Sequence, residues 1–322
     1  MGHDYSSMGF YTFDFLGWPV STIPPGGATY LIDEVAMAVS GTAGVAAIVG
    51  AKMGLKTLAV GGVGDDLMGQ WVMDRITSLG VDASGMQLCA GVPTSSSIVL
   101  TRADGSRPTL HVKGATGHFF VQPQDYDTVT DARVFHLGGV GLMDAMDGAA
   151  NADLMRHAQE RGCITTVDIF AGSKDDLPDV QAVLPHTDYF IPSVEEAEAL
   201  SGRSDLSGMV RFFHDLGAEC CVITLGADGA HYHHRDGTSF IVPAFAVDVK
   251  CTCGCGDAFN AGFATGLIKG FAPRDAVRFA QACSALNATG LGSQAGIRDL
   301  RQVTEFMETC PTRSSGRLVG AG

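Results

Sequence analysis

Short apolar segments alternate with amphipathic helical patterns along most of the 322-residue chain, and this alternation is the strongest constraint on its fold. Apolar runs of about four to eight residues indicate buried strands, whereas apolar residues at every third or fourth position indicate helices. The alternation predicts an α/β protein: a central, mainly parallel sheet between two layers of helices. Strands are predicted at 10–17, 56–64, 133–139, 163–170, 187–193 and 220–226, and helices at 42–54, 66–80, 143–162, 257–270 and 273–290.

Two regions break this alternation and have the pattern of extended chain, at 28–41 and 94–114. In the second, the turn-forming sequence ADGSR (103–107) separates two strand-like halves, which predicts a hairpin. We expect a small β-sheet lid from segments at about 9–41 and 92–116, within a single domain that spans 1–322. A further hairpin is predicted over 231–245, and the polar tail at 311–322 is expected to be frayed.

The composition narrows the class of protein. A formal net charge of −14 argues against a nucleic-acid binder, which needs clustered Lys and Arg. No apolar run is long enough for a membrane span, and the first residues lack the pattern of a secretory signal. Nine scattered cysteines are typical of reduced thiols, so we expect a cytoplasmic protein.

Ligands of parallel α/β sheets bind beyond the carboxyl ends of the strands. The segments expected at that edge are 61–66, 138–139, Asp168, 193–196 and 224–229.

The segment VKCTCGCGDAFNAGFATGL (249–267) carries the most specific chemical pattern. Gly254 and Gly256 allow close approach of the backbone to a ligand, and a helix follows at once. Backbone amides at a helix N-terminus form an anion hole, expected here over 253–256 and including Cys255. Asp257 at its mouth has the position of a general base for phosphoryl transfer, although an ordinary helix cap is the alternative that spacing leaves open.

This segment resembles the second signature of the ribokinase-like, or phosphofructokinase-B, family of carbohydrate kinases, D-T-T-G-A-G-D-x-F-x-A-G-F. Its G-x-G-D core and F-x-A-G-F helix are intact at 254–263. Other family motifs follow in order over about 9–297. The resemblance implies a ribokinase-like α/β/α sandwich with a β-sheet lid, and an ATP-dependent kinase that uses Mg²⁺.

The resemblance also assigns roles to other residues by position. Substrate contacts are implied for Asp14, for Gly41, Thr42 and Gly44 of the first signature, and for Gly139. Nucleotide contacts are implied for Ser193, Thr224, Gly226, Gly229, Cys253 and Asn287. Glu196 lies at the position of the family's glutamate that organises Mg²⁺ through water.

Four departures from the family pattern concern mainly the acceptor and cation sites. Ser193 replaces the Asn of N-x-x-E, and Cys251 replaces the Asp that helps to hold a monovalent cation. The resemblance therefore does not carry a monovalent cation over to this chain. In the first signature, at 24–44, Ser40-Gly41 and Gly44 stand where the family has two glycines and then an Asn, so one sugar-binding amide is missing. Asp168-Ile169-Phe170 lacks the usual Asn. These changes indicate an unusual acceptor pocket behind an intact phosphoryl-transfer site.

We expect phosphorylation of a hydroxyl on a small sugar or sugar acid, by a homodimer. A nucleoside kinase of the same family is the alternative, with an aromatic wall drawn from Phe10, Phe13, Phe15, Trp18 or Phe119. A non-catalytic sugar-binding regulator would not need the Asp257 motif, and a nicotinamide-dependent enzyme would need a glycine fingerprint that is incomplete at 62–64.

Three side-chain groups invite functional interpretations that compete with plainer ones. A metal site at the cysteines of 251–255 is less favoured than small residues packed beneath a phosphate-binding loop. A metal site at the histidines of 231–234 is less favoured than a solvated turn. Arg102 and Arg107 can reach a substrate from the lid hairpin, but solvated hairpin charges are the simpler explanation.

Overall fold

The computed structural model describes residues 1–170 and 172–313. Its strands are β1 (His3–Gly9), β2 (Thr12–Trp18), β3 (Glu34–Ser40), β4 (Thr57–Gly64), β5 (Asp82–Cys89), β6 (Ser96–Leu100), β7 (Thr109–Val112), β8 (Ala132–Val140), β9 (Ile164–Ile169), β10 (Tyr189–Phe190), β11 (Cys220–Thr224), β12 (Ala230–His234) and β13 (Ser239–Val242). Its helices are α1 (Thr42–Lys52), α2 (Leu67–Ser78), α3 (Tyr126–Val129), α4 (Ala149–Glu160), α5 (Leu177–Val183), α6 (Val194–Ser201), α7 (Leu206–Asp215), α8 (Cys255–Ile268), α9 (Pro273–Ala288) and α10 (Leu300–Thr309).

The main sheet has the order β13-β12-β11-β10-β9-β8-β1-β4-β5. Its strands from β11 to β5 run parallel, and the β12–β13 hairpin adds two antiparallel strands at one edge. This confirms the prediction of a mainly parallel sheet and of a hairpin over 231–245. The described residues contain no helix with the length and apolar character of a membrane span.

The first strand of the main sheet, β1, was not predicted, because its sequence HDYSSMG is polar. Ser6 and Ser7 are nevertheless buried, and their hydroxyls donate to the carbonyls of Val129 and Ala43 at 2.7 and 3.0 Å. The stretch predicted as the first strand, 10–17, forms β2, which belongs to the lid. Strand β5, at the edge of the main sheet farthest from the β12–β13 hairpin, was also not predicted.

Helices cover both faces of the main sheet, as predicted. Adjacent residues of β8 point to opposite faces: Val134 packs in a cluster with α1, α8 and α9, and Phe135 packs in one with α4 to α7. This period of two is what a sheet buried on both faces requires.

Helix boundaries differ from prediction at one place that matters. The helix predicted at 143–162 begins only at Ala149, because Asp147 closes a turn by accepting from Met143 N and Asn151 Nδ2. Gly148, with φ 78°, then connects this turn to α4. The tail also differs: Thr312 pairs with Phe245, so residues 311–313 are ordered, and the rest of the predicted frayed tail lies outside the described residues.

The lid is a separate four-stranded sheet with the order β3-β2-β6-β7. Asp14 of β2 is paired in register with Ala38 of β3 and Ser97 of β6, so it lies at the centre of this sheet. Strands β6 and β7 form the hairpin predicted around ADGSR. The two predicted lid segments therefore combine into one sheet above the main sheet's carboxyl edge.

Helix α8 is held in place by unusually close contact with α9. A Cβ on Gly262 or Gly266 would lie 2.8 Å from the Cα of Ala280 or Ala276, so only glycine permits this approach. The packing fixes the N-terminus of α8 at the carboxyl edge of the sheet.

Candidate active site

A cavity of about 470 Å³ lies between the lid and the carboxyl edge of the main sheet. Its volume is in the range of small-molecule sites. The lid contributes Asp14, Ser97, Arg107, Thr109 and His111 to the wall. The main domain contributes its predicted rim residues Asp168, Ser193, Glu196 and Thr224 and the loop at 252–257. The structure thus brings together side chains from distant parts of the sequence.

The first turn of α8 forms the floor of this cavity. Gly254 precedes the helix with φ 72°, and a Cβ there would lie 2.8 Å from Ser293 Oγ. Gly256 is exposed, and a Cβ there would meet nothing within 4 Å, so the backbone is open to a ligand. Amides in the first turn of a helix lack intrahelical partners and carry partial positive charge. Gly256 and Asp257 therefore offer their amides to an anion.

Two of the four amides predicted for the anion hole at 253–256, those of Cys253 and Cys255, already have partners within the loop. Cys253 N donates to Cys251 Sγ at 3.4 Å, and Cys255 N donates to Thr252 O at 3.3 Å. Both amides therefore serve the loop itself. Gly254, Cys255 and Gly256 all line the cavity.

Asp257 shares the cavity with two other carboxyl groups. Burial, opposed by the charge of Arg107, raises the pKa of Asp257 to about 6, and Glu196 adds to the rise. The pKa of Asp168, at the end of β9, is also raised by burial and then by Asp257 and Glu196. A group with a pKa near 6 is a carboxylate at neutral pH and a stronger base than an ordinary aspartate.

Glu196 is held by the N-terminus of α6 in a reciprocal cap. Its Oε2 accepts from Ser193 N at 2.9 Å and Ser193 Oγ at 2.7 Å, while Glu196 N donates to Ser193 Oγ. Burial raises the pKa of Glu196, and the hydrogen bonds from Ser193 oppose this rise. The bridge between Ser193 and Thr224 places β10 and β11 side by side at this wall.

The carboxylates fit a Mg²⁺ ion held through water. In the described part of the chain, no three His, Cys, Asp or Glu side chains are close enough to chelate a metal together. Glu196 Oε1 has no hydrogen bond from the described residues and lies in an acidic wall. Mg²⁺ keeps several waters and is commonly bound by one or two carboxylates and substrate phosphates, so this donor set suits it.

The lid end of the cavity is built around Asp14. Its side chain is 6% exposed and accepts from Thr12 Oγ1 at 2.9 Å. Burial raises its pKa, whereas hydrogen bonds from Ser97, Thr12 and Ser40 oppose the shift. Gly41, with φ 85°, and Thr42 line the cavity beside it at the start of α1. A buried carboxylate among hydroxyl groups is suited to hold sugar hydroxyls.

Several predicted ligand residues lie away from the cavity. Gly44 is buried in α1, where a Cβ would lie 3.2 Å from Tyr11 Cδ1. Gly139, with φ 91°, lies behind Phe10 and makes room for its ring. Gly226 forms an exposed turn after β11, and Gly229 returns the chain against Val242 O. None of these four glycines lines the cavity.

Asn287 differs most from its predicted role. It is fully buried, and its Nδ2 donates to Cys253 O at 2.7 Å while its Oδ1 accepts from Gln294 N at 2.6 Å. With both amide atoms engaged inside the protein, Asn287 braces the loop before α8, and it does not line the cavity.

The three cysteines at 251–255 form no chelating group in the described residues. Cys251 and Cys253 are buried, and hydrogen bonding from Cys253 lowers the pKa of Cys251 to about 5. Burial raises the pKa of Cys255 to about 11. The same absence of a three-ligand group holds for the histidines at 231–234, where His233 Nδ1 lies 3.0 Å from His214 Nε2.

Phe170 and His111 line the cavity but were not predicted as site residues, and Arg107 was interpreted as a solvated charge. Phe170, 54% exposed, lines the cavity with its ring centroid 5.8 Å from that of Phe10. His111 lines it with Nδ1 3.1 Å from Ser97 Oγ. Arg107 lines it, whereas Arg102 on the same hairpin does not. Polar and apolar residues alternate along β7, and its polar residues Thr109 and His111 line the cavity, so this alternation was the signal that could have identified His111.

Comparisons with known proteins agree with this geometry. Residues 21–300 match the family described as pfkB family carbohydrate kinase. The chain is 29% identical over 270 residues to the aminoimidazole riboside kinase of Salmonella typhimurium, covering 80% of this chain and 84% of that protein.

Solved structures show the same fold. Arabidopsis thaliana ribokinase, complexed with ribose and ATP, superposes with a TM-score of 0.80 at 22% identity, over 96% of this chain and 99% of that one. A protein from E. coli described as ribokinase II, in complex with ATP and Mg²⁺, superposes with a TM-score of 0.81 at 22% identity, over 95% and 99% of the two chains.

Proposed function

Because this chain belongs to the pfkB family of carbohydrate kinases, we propose that it transfers the γ-phosphoryl group of ATP to a hydroxyl of a small sugar or sugar acid. The observation that carries this proposal is the position of Asp257, at the first turn of α8 and in one cavity with Asp14. A base, an anion hole and a hydroxyl-binding carboxylate thus line a single chamber.

Asp14 and Thr42 hold the acceptor at the lid end, and Asp257 receives the proton of the attacking hydroxyl. The oxygen of that hydroxyl forms a bond to the γ-phosphorus as the bond to the bridging oxygen breaks, and ADP leaves. With its pKa near 6, Asp257 is deprotonated at neutral pH and basic enough to take the proton.

The free amides at the start of α8 bind the oxygens of the transferred group. These donors are fixed by the α8–α9 contact, so they need no reorganisation as charge shifts during transfer. Glu196 would orient water bound to Mg²⁺. When bound, that ion supplies positive charge to the phosphate chain. No residue in this scheme supplies a site for a monovalent cation.

A second candidate acceptor is a nucleoside, and the aromatic pair Phe10 and Phe170 favours it. Phe170 exposes its ring at the cavity, where a flat base can pack against it. Of the other aromatic residues considered, Phe119 is 1% exposed in the core and Phe13 packs on Trp71. The relative named aminoimidazole riboside kinase supports testing ribosides beside free sugars.

The partner of this chain is proposed to be a second copy, which covers the outer face of the lid. This face is formed by the exposed apolar residues Phe15, Val35, Met37, Ile98, Leu110 and Val112. Light scattering should give a dimer mass for the wild type and a monomer mass for Ile98→Lys. Leu67→Lys, at an exposed apolar position outside the lid, is the matched control. A monomeric wild type would contradict the proposal.

All nine cysteines are free thiols, which supports a reducing compartment such as the cytoplasm.

Acceptor-dependent release of ADP tests the function. Sugars, sugar acids and ribosides are assayed with ATP and Mg²⁺, with and without K⁺, against Asp257→Asn as the background. At least one acceptor should give ADP and a phosphorylated product with the wild type only. If no acceptor raises ADP release above the Asp257→Asn background, the kinase proposal is wrong.

A further inference from the structure

Arg107 is presented by the lid to the α8 end of the cavity. It follows the turn between β6 and β7 and lines the cavity with Gly254, Cys255 and Asp257. Its Nε donates to Thr252 Oγ1 at 3.3 Å, and Thr252 Oγ1 donates to Gly105 O at 3.4 Å. The tip of the lid hairpin is therefore docked on the loop that leads into α8.

Two further contacts hold the hairpin tip in this place. Thr101 Oγ1 lies 3.8 Å from Cys251 Sγ. Gly105 has φ 83°, and a Cβ there would lie 2.9 Å from Val249 Cγ1, so glycine permits both the turn and the close approach. These contacts place the Arg107 backbone beside the anion hole and leave its side chain directed over the cavity.

The guanidinium group of Arg107 has unused hydrogen-bonding capacity. Among the described residues, its Nη1 and Nη2 make no hydrogen bond, and it forms no ion pair within 4.0 Å, although the cavity wall is acidic. The planar N–H fork of arginine matches phosphate oxygens. An anion beside the carboxyl groups of Asp168, Glu196 and Asp257 also needs a compensating positive charge.

The two basic side chains that line the cavity from the lid, Arg107 and His111, face opposite ends of it. Burial raises the pKa of Asp257, and the largest opposing influence is the charge of Arg107. Burial likewise raises the pKa of Asp14, and there the opposing charge is that of His111, whose Nδ1 lies by Ser97. Arg107 therefore belongs to the end at which the phosphoryl group is transferred, and His111 to the acceptor end.

We propose that Arg107 is a catalytic residue that contacts the transferred phosphoryl group from the lid, opposite the amides of α8. This inference rests on the proposed kinase function. Arg107 exchanges no proton: the acceptor proton passes to Asp257 as the new phosphorus–oxygen bond forms, and ADP leaves. The guanidinium stabilises the negative charge on the oxygens of the γ-phosphoryl group while one bond to its phosphorus forms and the other breaks. Docking of the hairpin on Thr252 thus completes the site when the lid covers it.

The test compares Arg107→Met and Arg107→Lys with Arg102→Met, an exposed arginine on the same hairpin that does not line the cavity. Because Arg107 is exposed, its variants should keep the wild-type unfolding temperature. With the acceptor found by ADP release, Arg107→Met should lower kcat by about 10²–10³-fold with both KM values little changed. The kcat of Arg107→Lys should lie between those of Arg107→Met and the wild type. The kcat of Arg102→Met should equal that of the wild type.

Binding of ADP with aluminium fluoride, a mimic of the phosphoryl group in transfer, separates catalysis from nucleotide binding. Calorimetry should show that Arg107→Met weakens the mimic strongly and leaves ADP alone unchanged. The inference is overturned if kcat stays near the wild-type value, if only the acceptor KM rises, or if ADP and the mimic weaken equally.

The outcomes also separate this inference from the kinase proposal. A rate that is lost in Asp257→Asn but retained in Arg107→Met contradicts the role of Arg107 alone. A wild type without acceptor-dependent ADP release contradicts the kinase function, and the inference with it.

Discussion

The two ends of the cavity are built in different ways. The phosphoryl-transfer end comes mainly from one contiguous segment, 252–257, at the start of a helix fixed by close packing. The acceptor end is assembled from Asp14 of β2, Ser97 of β6, His111 of β7 and Thr42 of α1. Chemistry and acceptor choice are therefore separable here: the residues that line the acceptor end can change without moving the base or the anion hole.

Asp14→Asn should produce the largest loss that is confined to the acceptor end. A hydrogen bond to a charged group contributes about 1.5–3 kcal/mol, so kcat/KM for the acceptor should fall roughly 10- to 100-fold. The KM for ATP should remain within about threefold of the wild type, because Asp14 lies at the acceptor end of the cavity, among Thr12, Ser97 and His111. Steady-state kinetics with each substrate varied checks this, and a parallel rise in the KM for ATP would break the separation of the two ends.

Gly254→Ala should damage the phosphoryl-transfer end through the backbone. A residue with a Cβ at φ 72° costs roughly 1–2 kcal/mol, and the added Cβ would lie 2.8 Å from Ser293 Oγ. Chemical denaturation should therefore show lower stability, together with a lower kcat. Gly256→Ala is the matched comparison for stability: its Cβ would meet nothing within 4 Å, so unfolding should be nearly unchanged. Equal stability of the two variants would contradict the strained cap.

The pH dependence should report Asp257. The groups that face it are Arg107 of the lid hairpin, Asp14 of β2, Asp168 of β9 and Glu196 of α6. Burial raises the pKa of Asp257 to about 6; Arg107 and Asp168 oppose this rise, and Glu196 and Asp14 add to it. Because the base must be deprotonated, kcat/KM should fall about tenfold per pH unit as the pH drops below about 6. A pH–rate profile that stays flat down to about pH 4.5 would show an ordinary carboxylate and contradict the account.

Phe170→Ala should give the smallest effect and should sharpen the identity of the acceptor. If a ring of the acceptor packs on Phe170, its KM should rise by roughly three- to tenfold, since aromatic pairs contribute about 0.5–1.5 kcal/mol. The KM of a free sugar should not change. Competition between a riboside and the corresponding sugar measures the difference, and equal effects on both would remove the support for a nucleoside.

The open helix N-terminus at 254–257 could be predicted from the sequence because its information is local. Two glycines, an aspartate and a helical pattern are adjacent in the chain, and together they define a helix N-terminus open to an anion. The parallel sheet was predicted for a similar reason, since each strand and helix has its own periodicity. Strand β1 escaped because its buried serines satisfy their hydroxyls with Val129 and Ala43, which no local pattern indicates.

The acceptor end and its lid depend on contacts between distant residues. Arg107 meets Thr252 across 145 positions, so its location over the anion hole could not be predicted from spacing. The resemblance implies a nucleotide contact for Asn287, whereas in the structure it is buried and donates to Cys253 O, a contact that spacing does not indicate. Gly44 likewise serves the packing of α1 on Tyr11.

The most direct test of the account is single-turnover phosphoryl transfer by Asp257→Asn, with the binding of ATP and acceptor measured on the same protein. If Asp257 is the base at the mouth of the α8 anion hole, the rate should fall by about 10²–10⁴-fold while both affinities and the unfolding temperature stay near the wild type. A folded Asp257→Asn variant that transfers the phosphoryl group at a near-wild-type rate would contradict it.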